Sequence, residues 1–273
     1  MINVTKTSSK IATYTFLILV SILSAFPLVW MLIAATNKSV DVIAGKLTFG
    51  DQLITNYNNL LANQDVWRYF GNSVKYTLLI TVLSLIVCSL AGYSFEIYHD
   101  KAKDTLFAIL LMAMMVPFVA LMIPLFQMFS AAKLLNNAIA FILPSISTPF
   151  LIMMFRQAAK SFPIELIEAA RIDGLSEIGI FVKMFVPTMK STYAAAATIT
   201  FMNAWNNYLW AKVVMVDNKS QTMPMMISNL IAGYVTDYGM LMLGVLITTV
   251  PTVVVFFALQ KSFAQGITGA VKG

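Results

Sequence analysis

Charge is what this chain has least of: 11% of its 273 residues are Asp, Glu, Lys or Arg, against 59% hydrophobic, and mean hydropathy is +0.80. That is too little polar surface to cover a soluble globule, whereas apolar side chains facing lipid need no cover, so the bilayer is the solvent. Only one cysteine is present, Cys88, inside an apolar run, which excludes an intrachain disulfide and a thiolate metal cage and leaves a small buried or lipid-facing thiol. The one histidine, His99, stands in a short charged loop and reads as solvated rather than catalytic. No GxxxxGK[ST] run occurs, so this chain does not cradle nucleotide phosphates by a P-loop. Nor is there a visible nucleophile, base or metal constellation of the kind a membrane enzyme needs.

What is present is long apolar sequence. Six charge-free segments are long enough to cross a hydrocarbon core of ~30 Å at ~1.5 Å per residue: Ile11 to Ala35, Tyr76 to Phe95, Leu106 to Ala132, Leu134 to Phe155, Tyr193 to Ala211 and Tyr238 to Gln260. One charge at a helix centre would cost about 2.5 to 3.5 kcal/mol, so their absence supports reading each as a span. Lys6 and Lys10 precede the first, whose apolar run is longer than a secretory signal core, which predicts an uncleaved signal-anchor. Pro27, Pro117, Pro124, Pro144, Pro149 and Pro251 fall within the spans and are expected to bend them. The expectation is an all-α polytopic protein, a packed bundle of six bent helices forming a single domain over residues 1–273.

Six spans put both termini on one side, together with eleven of the eighteen Lys and Arg, among them Lys101, Lys103, Arg156, Arg171 and Lys183. That bias predicts cytoplasmic termini. The net charge of +6 and the pI of 9.3 then follow from topology, and no basic cluster interleaved with aromatics argues for nucleic acid.

Two polar regions remain. The external loop from Thr36 to Ser73 contains a helix-like stretch over residues 56–70 with Tyr57, Leu60, Leu61 and Trp67 near one face, suited to an interfacial helix or to a dock for an external solute-binding protein. The loop from Arg156 to Lys190 has Pro163 at a helix start, Glu165 and Glu168 in the positive N-terminal half, and Gly174 able to take the left-handed conformation that stops it. Ile164, Ile167 and Ala170 or Arg171 recur at helical spacing. A helix of about ten residues is marginal alone, so something must pack on it: the membrane, its own bundle or a protein groove. The small pair Ala169 and Ala170 suits a groove.

Asn203, Asn206 and Asn207 share a face at i, i+3 and i+4 of the fifth span, where amides facing lipid would be costly. They line an aqueous pathway or serve as interhelical hydrogen-bond glue. Trp205, Tyr208 and Trp210 suit sugar stacking or interfacial anchoring equally.

The order Glu168, Ala169, Ala170, three residues, Gly174, nine residues, Met184, one residue, Val186, Pro187 resembles the EAA loop of binding-protein-dependent ABC importer permeases, with Met184 and Val186 in place of the commoner Ile and Leu. Asn72 and Ser73, IPLF from Ile123, FRQ from Phe155, AWNNYLW from Ala204 and the terminal GITGAVKG resemble the smaller permease subunit of carbohydrate importers, the MalG-like group, over nearly the whole chain.

That resemblance implies a type I ABC importer permease fold, six transmembrane helices with a cytoplasmic coupling helix, in the plasma membrane. It implies that Glu168 anchors in a cleft of an ATPase subunit, that Ala169 and Ala170 form the small contact surface, and that Asp173 with Gly174 fix the exit turn. It also implies that the tail, with Gly269 and Lys272, reaches between two ATPase subunits, for which glycines at 266, 269 and 273 give flexibility. The implied partners are a second homologous permease, two cytoplasmic ATPase subunits that bind ATP and magnesium, and an extracytoplasmic solute-binding protein. This chain itself would hold no cofactor. The implied cargo is a disaccharide or oligosaccharide. Glycerol phosphate, a polyamine or an amino acid would also suit the EAA loop. An ion-coupled secondary transporter would need an intramembrane charge, which these spans lack.

Overall fold

The computed structural model describes residues 2–233 and 235–271, with side chains over 10–233 and 235–260. Among the described residues all regular structure is helical. The chain divides into two compact units, Met1–Val66 with Ile227–Thr249, and Trp67–Met226 with Val250–Gly273.

The first unit holds α1 (Ile2–Ala34), α2 (Ser39–Ile43) and α3 (Leu53–Asn63). The carbonyls at the end of a helix have no partner within it, and here two asparagines supply them. Asn37 Nδ2 donates to Ile33 O at 2.9 Å and to Thr48 O at 2.8 Å, while buried Asn56 donates to Ala35 O at 2.9 Å and Asn37 O at 3.0 Å. The start of a later helix closes on the same knot: a Cβ at Gly239 would meet Asn37 O and the Asn56 side chain. The helix anticipated over residues 56–70 is two helices, because α3 ends at Asn63 and Gln64 is extended. Of Tyr57, Leu60, Leu61 and Trp67 only Leu60 is buried, one turn beyond Asn56; Trp67 is 61% exposed.

α4 (Val66–Ile97) leads through the second unit, followed by α5 (Lys101–Ala113), α6 (Phe118–Ala131), α7 (Ala138–Ile142), a 3-10 turn over Leu143–Ser145 and α8 (Pro149–Ala159). Next come α9 (Ile164–Ile172), α10 (Glu177–Ile180), a π-helical turn over Phe181–Phe185 and α11 (Val186–Thr188). α12 (Lys190–Trp205), α13 (Tyr208–Val214), α14 (Met223–Ile231) and α15 (Tyr238–Val271) complete the described chain. At Gly92 a Cβ would stand 2.6 Å from Phe155 Cβ and 2.8 Å from Ile152 O, so α4 and α8 approach backbone to backbone there. Cys88, Leu151, Ile152, Phe155, Ala195 and Ala196 form the core around that approach.

The spans divide differently from the sequence expectation. Lys10–Ala34, Val66–Ile97 and Tyr238–Gln260 are single helices long and apolar enough to cross a bilayer. The third expected span is α5 and α6, bent by 100°, and the fourth is α7 with its 3-10 turn and α8, bent by 45°. Proline explains both bends, since it fixes φ and drives the preceding residue out of the helical region: Pro117 precedes α6 with ψ 132°, and Thr148, extended, precedes Pro149. Pro27, Pro124 and Pro251 instead lie inside helices. The fifth span, Tyr193 to Ala211, is not one helix, because α12 stops at Trp205 and α13 begins at Tyr208. Counting each bent pair as one span gives up to five among the described residues, one fewer than six.

Candidate functional site

The loop between α8 and α12 is built around α9. Pro163 precedes the helix with φ −63° and ψ 126°, and Glu165 occupies the first turn, where a carboxylate opposes the exposed amide dipoles. One side of α9 is rooted in the chain's own core: Ile167 and Ala170 are 1% and 4% exposed and pack with Phe162, Ile180, Phe181, Phe185 and Tyr93. The other side is open, with Glu168, Ala169 and Asp173 at the surface beside Ile164 and Ile172. The expectation of a contact surface made by Ala169 and Ala170 together is therefore corrected. Residues 169 and 170 are about 100° apart around the helix, so one points outward and the other inward.

Gly174 has φ +81°, the left-handed conformation. The Leu175 amide donates to Ala170 O at 2.9 Å and the Gly174 amide to Arg171 O at 3.1 Å, the paired bonds of a Schellman stop. Half-buried Leu175 then packs on the core that holds Ala170.

A polar tie unrecognised in the sequence fixes this loop. Arg171 grips Glu177 with two bonds, Nε to Oε1 at 2.7 Å and an Nη to Oε2 at 3.2 Å, and the Tyr98 hydroxyl donates to the same carboxylate. The Arg171 hydrogen bonds, and then Tyr98, hold the Glu177 carboxyl below its usual range. The six-residue Arg171–Glu177 spacing crosses the Gly174 turn, so no helical periodicity announces it, and Tyr98 is remote in sequence. A second tie joins three helix ends: Arg156 bridges Glu96 at 3.1 Å and Asp104 at 2.7 Å, with its guanidinium 4.3 Å from the Phe107 ring centre.

At the tail, α15 continues to Val271, so residues 266 and 269 have helical backbone. Lys272 lies outside the described residues.

Asn203, Asn206 and Asn207 do come together, though not on one helix face. Asn206 ends α12, its Nδ2 donating to Met202 O at 2.9 Å, and Asn207 Oδ1 caps α13 by accepting from the Trp210 amide at 3.3 Å. All three line a cavity of about 600 Å³ with Thr200, Ser145, Phe118, Phe150 and Tyr208. The neighbouring tryptophans are core residues, neither sugar platforms nor interfacial anchors. Trp205 is 1% exposed and stacks on Phe201, and fully buried Trp210 donates to Ala140 O at 3.0 Å.

Residues 89–269 match the model of the binding-protein-dependent transport system inner membrane component, and the chain belongs to that family. It is 47% identical over 262 residues to the lactose transport system permease protein LacG of Rhizobium radiobacter, covering 96% of each chain. It is 37% identical over 260 residues to the arabinooligosaccharides transport system permease protein AraQ of Halalkalibacterium halodurans, covering 93% of each. Its fold is similar to a chain of a bacterial ABC transporter involved in the import of the acidic polysaccharide alginate, with a TM-score of 0.84 and 20% identity, covering 95% of this chain and 98% of that one.

Proposed function

We propose that this chain is one of two permease subunits of an ATP-driven, binding-protein-dependent ABC importer for a disaccharide or oligosaccharide. Residues 1–273 act as a single transmembrane domain in the plasma membrane with both termini cytoplasmic. The subunit is non-catalytic: two cytoplasmic ATPase subunits bind ATP and magnesium, and an extracytoplasmic solute-binding protein delivers the sugar. The likeness to the lactose and arabinooligosaccharide permeases over almost the full length supports the cargo class.

The observation that carries the coupling role is the two-sided burial of α9. Ile167 and Ala170 root the helix, so a force on exposed Glu168 and Ala169 is transmitted to the core beneath and through it to Tyr93 of α4. Glu168 is the polar anchor in the ATPase cleft, Ala169 the close contact, and Asp173 with Gly174 the exit turn. Gly269 and Lys272 extend toward the ATPase pair, and Asn203, Asn206 and Asn207 border the solute path. An ion-coupled secondary transporter has less support, because the apolar segments are free of the charges that ion coupling uses.

Glu168→Lys tests this. The side chain is exposed, so reversal should leave membrane insertion intact while transport collapses and the ATPase ceases to co-purify. Normal uptake by a well-expressed variant would remove Glu168 as the anchor.

A further inference from the structure

The cavity in the second unit has a wall whose chemistry is more specific than its size. Asn203, Asn206, Asn207, Thr200, Ser145 and Tyr208 supply its polar groups, and none of its lining residues carries a charge. Asn206 spends its Nδ2 on Met202 O, and Asn207 spends its Oδ1 on the Trp210 amide. That leaves an acceptor oxygen on the first and a donor nitrogen on the second, while Asn203 is exposed. Thr200 lines the wall with its hydroxyl buried, so the polar groups within reach of an occupant are led by exposed Asn203. Anionic solutes are held by Arg, Lys or other cationic groups, and this wall has none. Hydroxyls both donate and accept, which matches a wall of amides and hydroxyls, and Phe118 and Phe150 offer apolar faces of the kind small-molecule sites use.

We propose that this cavity binds the transported solute directly and that its occupant is a neutral, polyhydroxylated molecule of disaccharide size. Asn203 forms the principal polar contact, and the Asn206 oxygen and Asn207 amide frame it. The site selects against charge by offering no counter-ion. This inference rests on the sugar-importer reading above.

The test uses the complete importer in proteoliposomes, trapped with ATP and vanadate. Asn203→Cys in a Cys88→Ser background is exposed to a small membrane-impermeant methanethiosulfonate from the binding-protein side, with Ser145→Cys on the same wall as a second reporter should the first fail to assemble. The probe is the neutral disaccharide that the importer takes up, lactose being tried first, with glycerol 3-phosphate as the anionic control. The disaccharide should slow modification in proportion to its concentration, and glycerol 3-phosphate should not.

Modification at the same rate with and without a disaccharide that saturates uptake would overturn the proposal while leaving the sugar-importer reading standing. Failure of either cysteine to react would also overturn it, because the wall would then be covered by the partner permease or lipid. Equal protection by glycerol 3-phosphate would overturn selection against charge. An importer that takes up no neutral sugar would defeat both this inference and the reading beneath it.

Discussion

Gly174 has φ +81° and nothing within 4 Å of the place a Cβ would occupy. A larger residue there meets no neighbour, so substitution acts through backbone conformation alone. Gly174→Val should strain the turn by roughly 1 to 3 kcal/mol, because a β-branched residue does not rest in the left-handed region. Gly174→Asn should cost much less, since Asn tolerates it. We expect Val to uncouple ATP hydrolysis from uptake while Asn retains coupling, measured as sugar moved per ATP hydrolysed; equal coupling in both would show that the turn's angle is immaterial. Glu177 gives a pH signature. Its folded pKa is depressed by Arg171 and Tyr98, so its tie is intact above the ordinary Glu value of about 4.3 and is lost as pH falls through the folded value. Amide exchange over residues 175–180, corrected for intrinsic rate, should be flat from pH 5 to 8 and rise below pH 4, and Glu177→Gln should abolish the step. The stop at Gly174 was legible in the sequence because a glycine ends a short periodic run. The opposite orientations of Ala169 and Ala170 were not, since two adjacent alanines carry no signal of which one faces the core.

Among the elements, α4 and α8 offer a test of packing with its own control on one helix. A Cβ at Gly92 would stand 2.7 Å from the Arg156 amide and 2.8 Å from Ile152 O, backbone atoms that yield only if the helices separate. Gly92→Ala should destabilise by about 1 to 3 kcal/mol as overpacking. Gly71→Ala, where nothing lies within 4 Å, should be neutral or stabilise by up to about 1 kcal/mol through helix propensity. Thermal unfolding of the purified complex in detergent compares them, and equal shifts would refute the close approach. Hydropathy located the three long single helices and the two bent pairs, because each is a continuous apolar run, but it also read one span over Tyr193 to Ala211 where there are two helices. It could not place the break at Asn206–Asn207, because both residues fit a polar face of a continuous helix as well as they fit two caps. Proline signalled where α6 and α8 begin but not the size of the bends, since Pro27, Pro124 and Pro251 sit within helices. The Arg156 tie to Glu96 and Asp104 was likewise hidden, being a pairing of three helix ends that composition cannot bring together.

For the molecule as a whole, the division of labour follows from what the chain has and lacks. Apolar helices give it a place in the membrane, and in the proposed importer nucleotide chemistry belongs to the ATPase subunits. α9, buried on one side and open on the other, is in that proposal the part through which they act. Family membership was legible in the sequence because the EAA loop and the terminal motif are local patterns. The cavity was legible only as three asparagines, because its facing wall, with Phe118, Ser145 and Thr148, comes from segments distant in sequence. The most direct measurement is lactose accumulation in proteoliposomes holding this chain with its partner permease and ATPase pair, with the binding protein supplied outside. The account predicts uptake that requires ATP on the ATPase side, stops with vanadate and is indifferent to ionophores. Accumulation that proceeds without ATP and follows an imposed proton or sodium gradient would contradict it.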